Sequence, residues 1–357
     1  MRRLLLLILA IGTVGLAAPV ERGVVYPVVT PGPQLRFPHD HGAHPDYRTE
    51  WWYFTGWLEG QDGKPLGFQI TFFRSRPDTA ADNPSAFAPK QILFAHAAIS
   101  DPSTGKLVHD QRMARAGFGI AEAASTDAGI RLLDWRLDRD LDGTFRARVA
   151  AQSFSLYLAF TATQPPMVNG EGGYSRKGPQ PQQASYYYSM PQLAASGTAV
   201  SNGKRMKVRG RAWLDREWSS TLLDPKASGW DWAGINLDDG GALMLFQVRG
   251  RDGRAIYAGG TLRRPDGSSV AFGPDEVRFE PRRYWTSPET GGRYPVEADF
   301  IVRLAGEQRR FRLKPMFDAQ ELDGRSSGMP VYWEGAVTTQ DGRGYLELTG
   351  YAGKLVL

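Results

Sequence analysis

Along most of this chain apolar and polar residues alternate with a period of two, and stretches with a helical period are hard to find. The alternation predicts strands at 49–58, 66–74, 91–100, 130–137, 144–152 and 154–163 in the first half. It predicts further strands at 205–214, 230–237, 242–249, 254–262, 294–304, 308–314, 331–339 and 344–350 in the second. Turn signals separate them, among them Asp62-Gly63, Asp142-Gly143, Asp252-Gly253, Asp266-Gly267 and Asp341-Gly342. Asp-Gly supplies the positive-φ positions of tight hairpins. Many short strands at this spacing predict an all-β chain, built as sandwiches or barrels.

The segment 49–58 has five aromatic residues in ten. Side chains alternate across a strand, so Glu50, Trp52, Phe54 and Gly56 share one face. Trp51, Tyr53, Thr55 and Trp57 share the other. Both faces are aromatic, so both are expected to be covered. The two halves of the chain also echo each other. Trp52-Tyr53-Phe54-Thr55-Gly56 lines up with Trp230-Asp231-Trp232-Ala233-Gly234, and later segments match in the same order. A repeat of this length means two copies of a domain related by internal duplication. The expected division is an N-terminal extension over 19–44, a first domain over 45–214, a linker over 215–229 and a second domain over 230–357. The stretch 163–191, rich in Pro, Gly and Gln, reads as a long loop that ends in three tyrosines, 186–188, set across a cavity mouth.

Composition narrows the picture. There is no cysteine, so a chain of 357 residues must rely on its hydrophobic core. Arg2 and Arg3 precede an apolar run that ends in Ala17-Ala18, a secretory signal pattern over 1–18. The expectation is export, to a periplasm or beyond, with cleavage near Ala18 and no lipid-anchoring cysteine. The net charge of +5 falls to +3 without those two arginines. The basic residues are scattered singly, which argues against a nucleic-acid partner and leaves room for peripheral contact with anionic lipid.

Several groups are candidates for chemistry. In Trp213-Leu214-Asp215-Arg216-Glu217-Trp218, an extended backbone points Asp215 and Glu217 the same way, with Cα atoms roughly 6–7 Å apart. Close carboxylates among tryptophans resist double ionisation, which suits a general acid. The competing expectation is a structural cluster of ion pairs with arginine. Glu50 poses the same choice between a buried ion-pair partner and a reactive acid. His96, in the middle of an apolar strand, reads either as a proton shuttle or as a hydrogen-bonded core group. His39, Asp40, His41 and His44 include ligand types for zinc or copper. With no second ligand cluster in the sequence, however, no metal and no cofactor are assigned.

Taken together, Glu50-Trp51-Trp52-Tyr53 with Gly56, Phe94-Ala95-His96 with Ser100-Asp101, and Asp215-Arg216-Glu217-Trp218 resemble the AttH-like and carotenoid hydratase family of exported, lipocalin-like proteins. The resemblance spans the chain after the signal segment. It implies two tandem lipocalin-like β-barrels. In the hydratase members, an acid protonates an isolated double bond of an isoprenoid and water captures the cation. Their His-x-Trp element aligns with Arg216-Glu217-Trp218, so Arg216 replaces the histidine. Their catalytic aspartate falls near 243–246, where this chain has no acid.

Two functions follow as expectations. The first is a hydratase or hydrolase acting on an apolar, lipid-like ligand. Its catalytic residues would be drawn from Glu217, Asp215, Glu50 and His96, and its pocket wall from Trp51, Trp52, Tyr53, Trp218, Trp230 and Trp232. The second is a non-catalytic carrier for such a ligand, working with ABC-transporter components. Strand-borne Trp and Tyr also leave a glycan ligand open. An acid shielded among tryptophans favours the enzyme; acids tied up in arginine pairs favour the carrier.

Overall fold

The computed structural model describes residues 24–78, 83–85 and 87–353, so the expected signal segment lies outside the described residues. Two sheets account for the fold. The first holds β1 (Thr49–Gly60), β2 (Pro65–Ser75), β3 (Ile92–Ser100), β4 (Leu107–Arg115), β5 (Ala121–Ala123), β6 (Gly129–Leu132) and β7 (Trp135–Arg139). It continues with β8 (Phe145–Ala150), β9 (Ser155–Thr161), β10 (Met167–Val168), β11 (Tyr174–Arg176), β12 (Ala184–Ser201) and β13 (Lys204–Ser219). The second holds β14 (Ala227–Leu237), β15 (Ala242–Gly250), β16 (Ala255–Arg263), β17 (Ser269–Phe272) and β18 (Val277–Thr286). It ends with β19 (Arg293–Leu304), β20 (Glu307–Pro315), β21 (Glu321–Asp323), β22 (Val331–Thr339) and β23 (Gly342–Thr349). Among the described residues there is no α-helix.

The strand orders make the duplication explicit. The first sheet runs β4-β3-β2-β1-β13-β12-β9-β8-β7-β6-β5, and the second runs β17-β16-β15-β14-β23-β22-β20-β19-β18. With β1 set against β14 and β13 against β23, the two orders coincide from one edge to β7 and β18. Even the short side strands correspond, since β10 and β11 pair with β12 where β21 pairs with β22. Each sheet coils in the manner of a barrel. β6 approaches β3 and β4 in the first, and β18 approaches β15 and β16 in the second. Natural strand twist favours this coiling.

Three apolar layers result. Inside the first barrel lie Trp52, Phe54, Phe68, Trp135, Phe145 and Phe160. Inside the second lie Leu245, Phe279, Phe300, Phe311 and Trp333. Between the barrels, Tyr53, Tyr187, Trp213, Trp232, Phe246 and Tyr345 form a third, continuous layer. Each aromatic side chain can bury roughly 150–250 Å², so the two halves are joined by a core and not by a wetted rim contact.

The fold departs from the sequence expectations in several places. β4 and β18 were not expected, and neither were the short strands β5, β17 and β21. β4 (LVHDQRMAR) is half-buried along most of its length and does not alternate. β18 carries Pro281 and two register shifts against β19. The expected loop 163–191 already contains β10 and β11, and its last part is strand, because β12 begins at Ala184. Tyr186, Tyr187 and Tyr188 therefore sit mid-sheet, each paired to a residue of β13. The expected linker 215–229 is mostly strand as well. β13 runs through Ser219 and β14 starts at Ala227, so only 220–226 cross between the sheets.

Close approach at the seam explains one glycine. A Cβ on Gly67 of β2 would lie 2.8 Å from the Ala336 Cβ and 2.7 Å from the Tyr345 hydroxyl, both on the second sheet. Gly67→Val is expected to destabilise the whole chain by about 1–3 kcal/mol through overpacking, read as a lower denaturation midpoint in urea.

Candidate active site between the two sheets

The register of β1 against β13 sorts the candidate residues. Glu50 lies opposite Trp218 and Trp52 opposite Arg216, on rungs that face the first barrel's interior. Trp51 lies opposite Glu217 and Tyr53 opposite Asp215, on the intervening rungs that face the second sheet. Strand alternation thus separates Glu50, Trp52 and Trp218 from Asp215 and Glu217. The expectation that all these side chains line one recess is corrected.

Inside the first barrel, Glu50 is fully buried and ion-paired with both Arg74 and Arg216. It also accepts the His44 backbone N–H at 3.0 Å. Burial pushes its pKa up, but Arg216, the hydrogen bond from His44 and Arg74 outweigh burial and hold the carboxyl well below the usual range. The Arg216 guanidinium lies 3.9 Å over the Trp52 ring. Trp218 stacks on His44 with ring centres 3.8 Å apart. Such a satisfied ion pair supports structure and leaves no proton to donate. The second barrel carries an analogue. Asp231, also fully buried, is paired with Arg249 at 2.8 Å and hydrogen-bonded by Gln247 and Tyr351.

The seam holds a different kind of acid. Asp215 accepts hydrogen bonds from Tyr187 (2.7 Å), Ser189 (2.5 Å) and the Trp213 indole (2.6 Å), with no arginine beside it. Burial pushes its pKa up to about 7 against those hydrogen bonds, and the nearby Glu217 charge adds to the rise. From the second sheet come Glu334 and Glu347, directly opposite each other on β22 and β23. Glu334 is hydrogen-bonded by the Tyr53 hydroxyl, which reaches across the seam. Burial and the Glu347 charge drive the Glu334 pKa well above normal. The Trp230 indole donates to Glu347 at 3.1 Å. Burial, with the charges of Asp215 and Glu217, pushes the Glu347 pKa up to about 8. Like charges in a dry site cannot all ionise, so protons stay on.

Glu217 is set apart by a cation. Lys177 lies 3.2 Å from it, and the ammonium sits 4.5 Å over Tyr187 and 4.4 Å over Phe246. Burial draws the Lys177 pKa down while Glu217 pulls it back up. Trp232 completes the wall, its indole donating to the Tyr187 hydroxyl at 3.0 Å. Trp51, Trp230, Tyr257 and Glu347 are only partly buried and mark where the site approaches solvent. A cleft of about 710 Å³ opens elsewhere along the same seam, lined by Trp57, Arg209, Arg211, Asn236, Arg343 and Trp213.

His96 extends the seam row, since Asp215, Tyr53, Thr71 and His96 follow one another across four strands. Its ring is fully buried and shared between the Tyr332 hydroxyl (2.9 Å) and Ser327 (3.1 Å). Burial, with His109, lowers its pKa to about 3, so the ring is neutral and structural. In the N-terminal segment His41 turns inward to the Tyr188 hydroxyl at 2.6 Å. His39, Asp40 and His44 converge instead, their ligand atoms all within 4.8 Å of one another.

The sequence reading missed Glu334, Glu347, Lys177 and the role of Tyr187. Glu334 had a signal, as a lone acid in the apolar run Val331-Tyr332-Trp333-Glu334-Gly335-Ala336-Val337. That is the same cue that singled out Glu50. Lys177 had none, because it lies in the irregular segment.

The comparisons with known proteins agree with this architecture. The sequence profile of the AttH-like family matches residues 28–351. The chain belongs to the AttH-like family. A crystal structure of a Nitrosomonas europaea protein assigned to AttH is 52% identical, covers 91% of this chain and 99% of its own, and superposes with a TM-score of 0.85. Kievitone hydratase from Nectria haematococca shares the fold at 14% identity, with a TM-score of 0.66 over 92% of this chain and 94% of its own. CghA, crystallised with Sch210972, shares it at 14% identity and a TM-score of 0.54, over 85% and 89% of the two chains. No curated protein matches this AttH-like sequence.

Replacing Glu50 by Gln leaves the buried Arg74 and Arg216 guanidiniums without their anion. Breaking a buried pair in this way is expected to cost about 3–5 kcal/mol, measured by urea unfolding at neutral pH.

Proposed function

We propose that the seam binds a largely apolar, unsaturated ligand and adds water across one of its double bonds. The observation that carries this reading is the set of seam carboxyls, Asp215, Glu334 and Glu347, that hold protons near neutral pH among aromatic rings with no arginine partner. Acids tied into arginine pairs would have favoured a carrier; beside the seam that arrangement is found at Glu50 and Asp231, on the inward faces of the barrels.

Glu347 is the proton donor in this scheme, being the partly exposed member of the set. Its carboxylic proton passes to one alkene carbon as the π electrons form the new C–H bond. The cation on the other carbon faces Trp230 and Trp232, whose ring quadrupoles stabilise positive charge. A water oxygen forms the C–O bond, and its surplus proton returns to the seam carboxylates, restoring Glu347. Tyr53 orients Glu334, while burial and the nearby Glu217 charge keep the proton on Glu347. Lys177 holds Glu217 at the rim of the same site. Preorganised dipoles in a dry site supply the stabilisation without rearranging.

A carrier that hands such a ligand to ABC-type exporter components would use the same seam without turnover. An exported location and a brief encounter with a membrane surface suit either role.

The test starts from lipids that co-purify with the full chain, incubated in water enriched in heavy oxygen and followed by mass spectrometry. The wild type is expected to place label in the bound species. Glu347→Gln is expected to retain the ligand and lose labelling by about two orders of magnitude or more, the usual scale of general acid catalysis. A wild type that binds lipid and never incorporates label would leave only the carrier. The rate is further expected to fall as pH rises through about 8, because the donor must hold its proton, and a rate that climbs through that range would exclude Glu347 as the acid.

A further inference from the structure

Outside the seam, one group of ligand-type side chains stands out among the described residues. The Nδ1 of His39 lies 2.8 Å from Asp40 Oδ1, and the Nε2 of His44 lies 3.3 Å from the same oxygen. Around a tetrahedral zinc with bonds of about 2.0–2.1 Å, donor atoms stand roughly 3.3–3.5 Å apart. His39, half-exposed, is the donor that would adjust to that spacing, while the other two groups are already held in place.

The scaffold behind the three donors is rigid. Asp40 is buried, and its second oxygen accepts the Arg36 N–H at 2.6 Å. The intervening His41 is pinned to Tyr188. Ala43 N–H bonds to Ala124 O at 2.7 Å, and Gly42 packs so tightly on this segment that a Cβ would lie 2.7 Å from the Ser125 carbonyl carbon. His44 is clamped flat against Trp218.

The far side of the His44 ring carries the deciding feature. Its Nδ1 has two neighbours, Arg216 Nη2 at 3.1 Å and Glu50 Oε2 at 3.4 Å. With Nδ1 as acceptor from Arg216, Nε2 carries the proton and donates to Asp40. With Nδ1–H donating to Glu50, Nε2 presents a lone pair beside Asp40 and His39. Arg216 Nη2 has two hydrogens, and Glu50 and Gly42 O accept both, which favours the tautomer whose Nδ1–H donates to Glu50. A carboxylate behind a ligating histidine is the usual outer support of a metal site.

We propose that His39, Asp40 and His44 bind a divalent transition-metal ion, zinc by preference, with Glu50 orienting His44 and water filling the fourth position. Two imidazoles and one carboxylate suit zinc, with copper(II) as a competitor, and do not suit magnesium or calcium, which take oxygen ligands. The ion would fasten the segment before β1 to the first barrel, over Trp218. The proposal stands independently of the reaction at the seam.

The deciding experiment uses the full chain without a purification tag, stripped by a chelator and titrated with zinc by calorimetry, alongside thermal melting. One equivalent of zinc is expected to bind saturably and raise the melting temperature, with no such effect from magnesium. His39→Gln alters an exposed side chain, so it is expected to fold normally and to lose both the binding and the thermal shift. His44→Gln is expected to lose the binding too. A wild type that takes up no zinc would overturn the site, and so would a His39→Gln protein that binds zinc as the wild type does.

Discussion

The pairing of β1 with β13 places Trp52 against Arg216 and, one rung along, Tyr53 against Asp215. Slipping this ladder by a single residue would exchange the two faces of both strands. The register therefore decides which carboxyls meet arginine and which meet only hydroxyls and indoles. Glu50 belongs to the first class and Asp215 to the second, although their strands are immediate neighbours. The chemistry of each acid comes from the side of the sheet it occupies, not from its position along the chain.

The same duplicated topology is used for two ends. Each half keeps an acid–arginine pair inside its own barrel, Glu50 with Arg74 and Arg216 in one and Asp231 with Arg249 in the other. The outward faces have diverged. The first contributes Tyr53, Asp215 and Glu217; the second contributes Trp230, Trp232, Glu334 and Glu347. Only the first carries the long excursion before β12, and that excursion brings in Lys177. Duplication supplied two similar surfaces, and the chemistry arises from how they differ.

Much of this was legible in the sequence. Alternation marked most strands, the shared order of aromatic motifs marked the repeat, and the run 49–58 announced a strand covered on both sides. Tyr53 lies opposite Asp215 on the ladder, Trp232 reaches it through the Tyr187 hydroxyl, and Trp230 bonds to Glu347. What stayed hidden has physical reasons. β4 is half-buried along its length and so shows no two-residue pattern. β12 contains Pro191, where the ladder with β13 breaks between Met190 and Leu193, and its composition reads as loop. Gln192 adopts a positive φ of 57° there and reaches the second sheet, bonding to Asn236, Leu237 and Gly241. The meeting of Asp215 with Glu334 and Glu347 depends on how two sheets dock, a relation that no local pattern along one chain encodes.

Docking by way of protonated carboxyls has a thermodynamic corollary. The seam acids owe their high proton affinity to the covering sheet, and apart from it they would be hydrated and ionised in neutral water. Joining the halves is therefore an event that takes up protons from solution, and by linkage alkalinity must loosen the joint. Inside the first barrel the response has the opposite sign: the Glu50 pKa is depressed, so its contribution is present at neutral pH and lost in acid. The seam and the first barrel's interior are thus sensitive to opposite extremes of pH, the one to alkali and the other to acid.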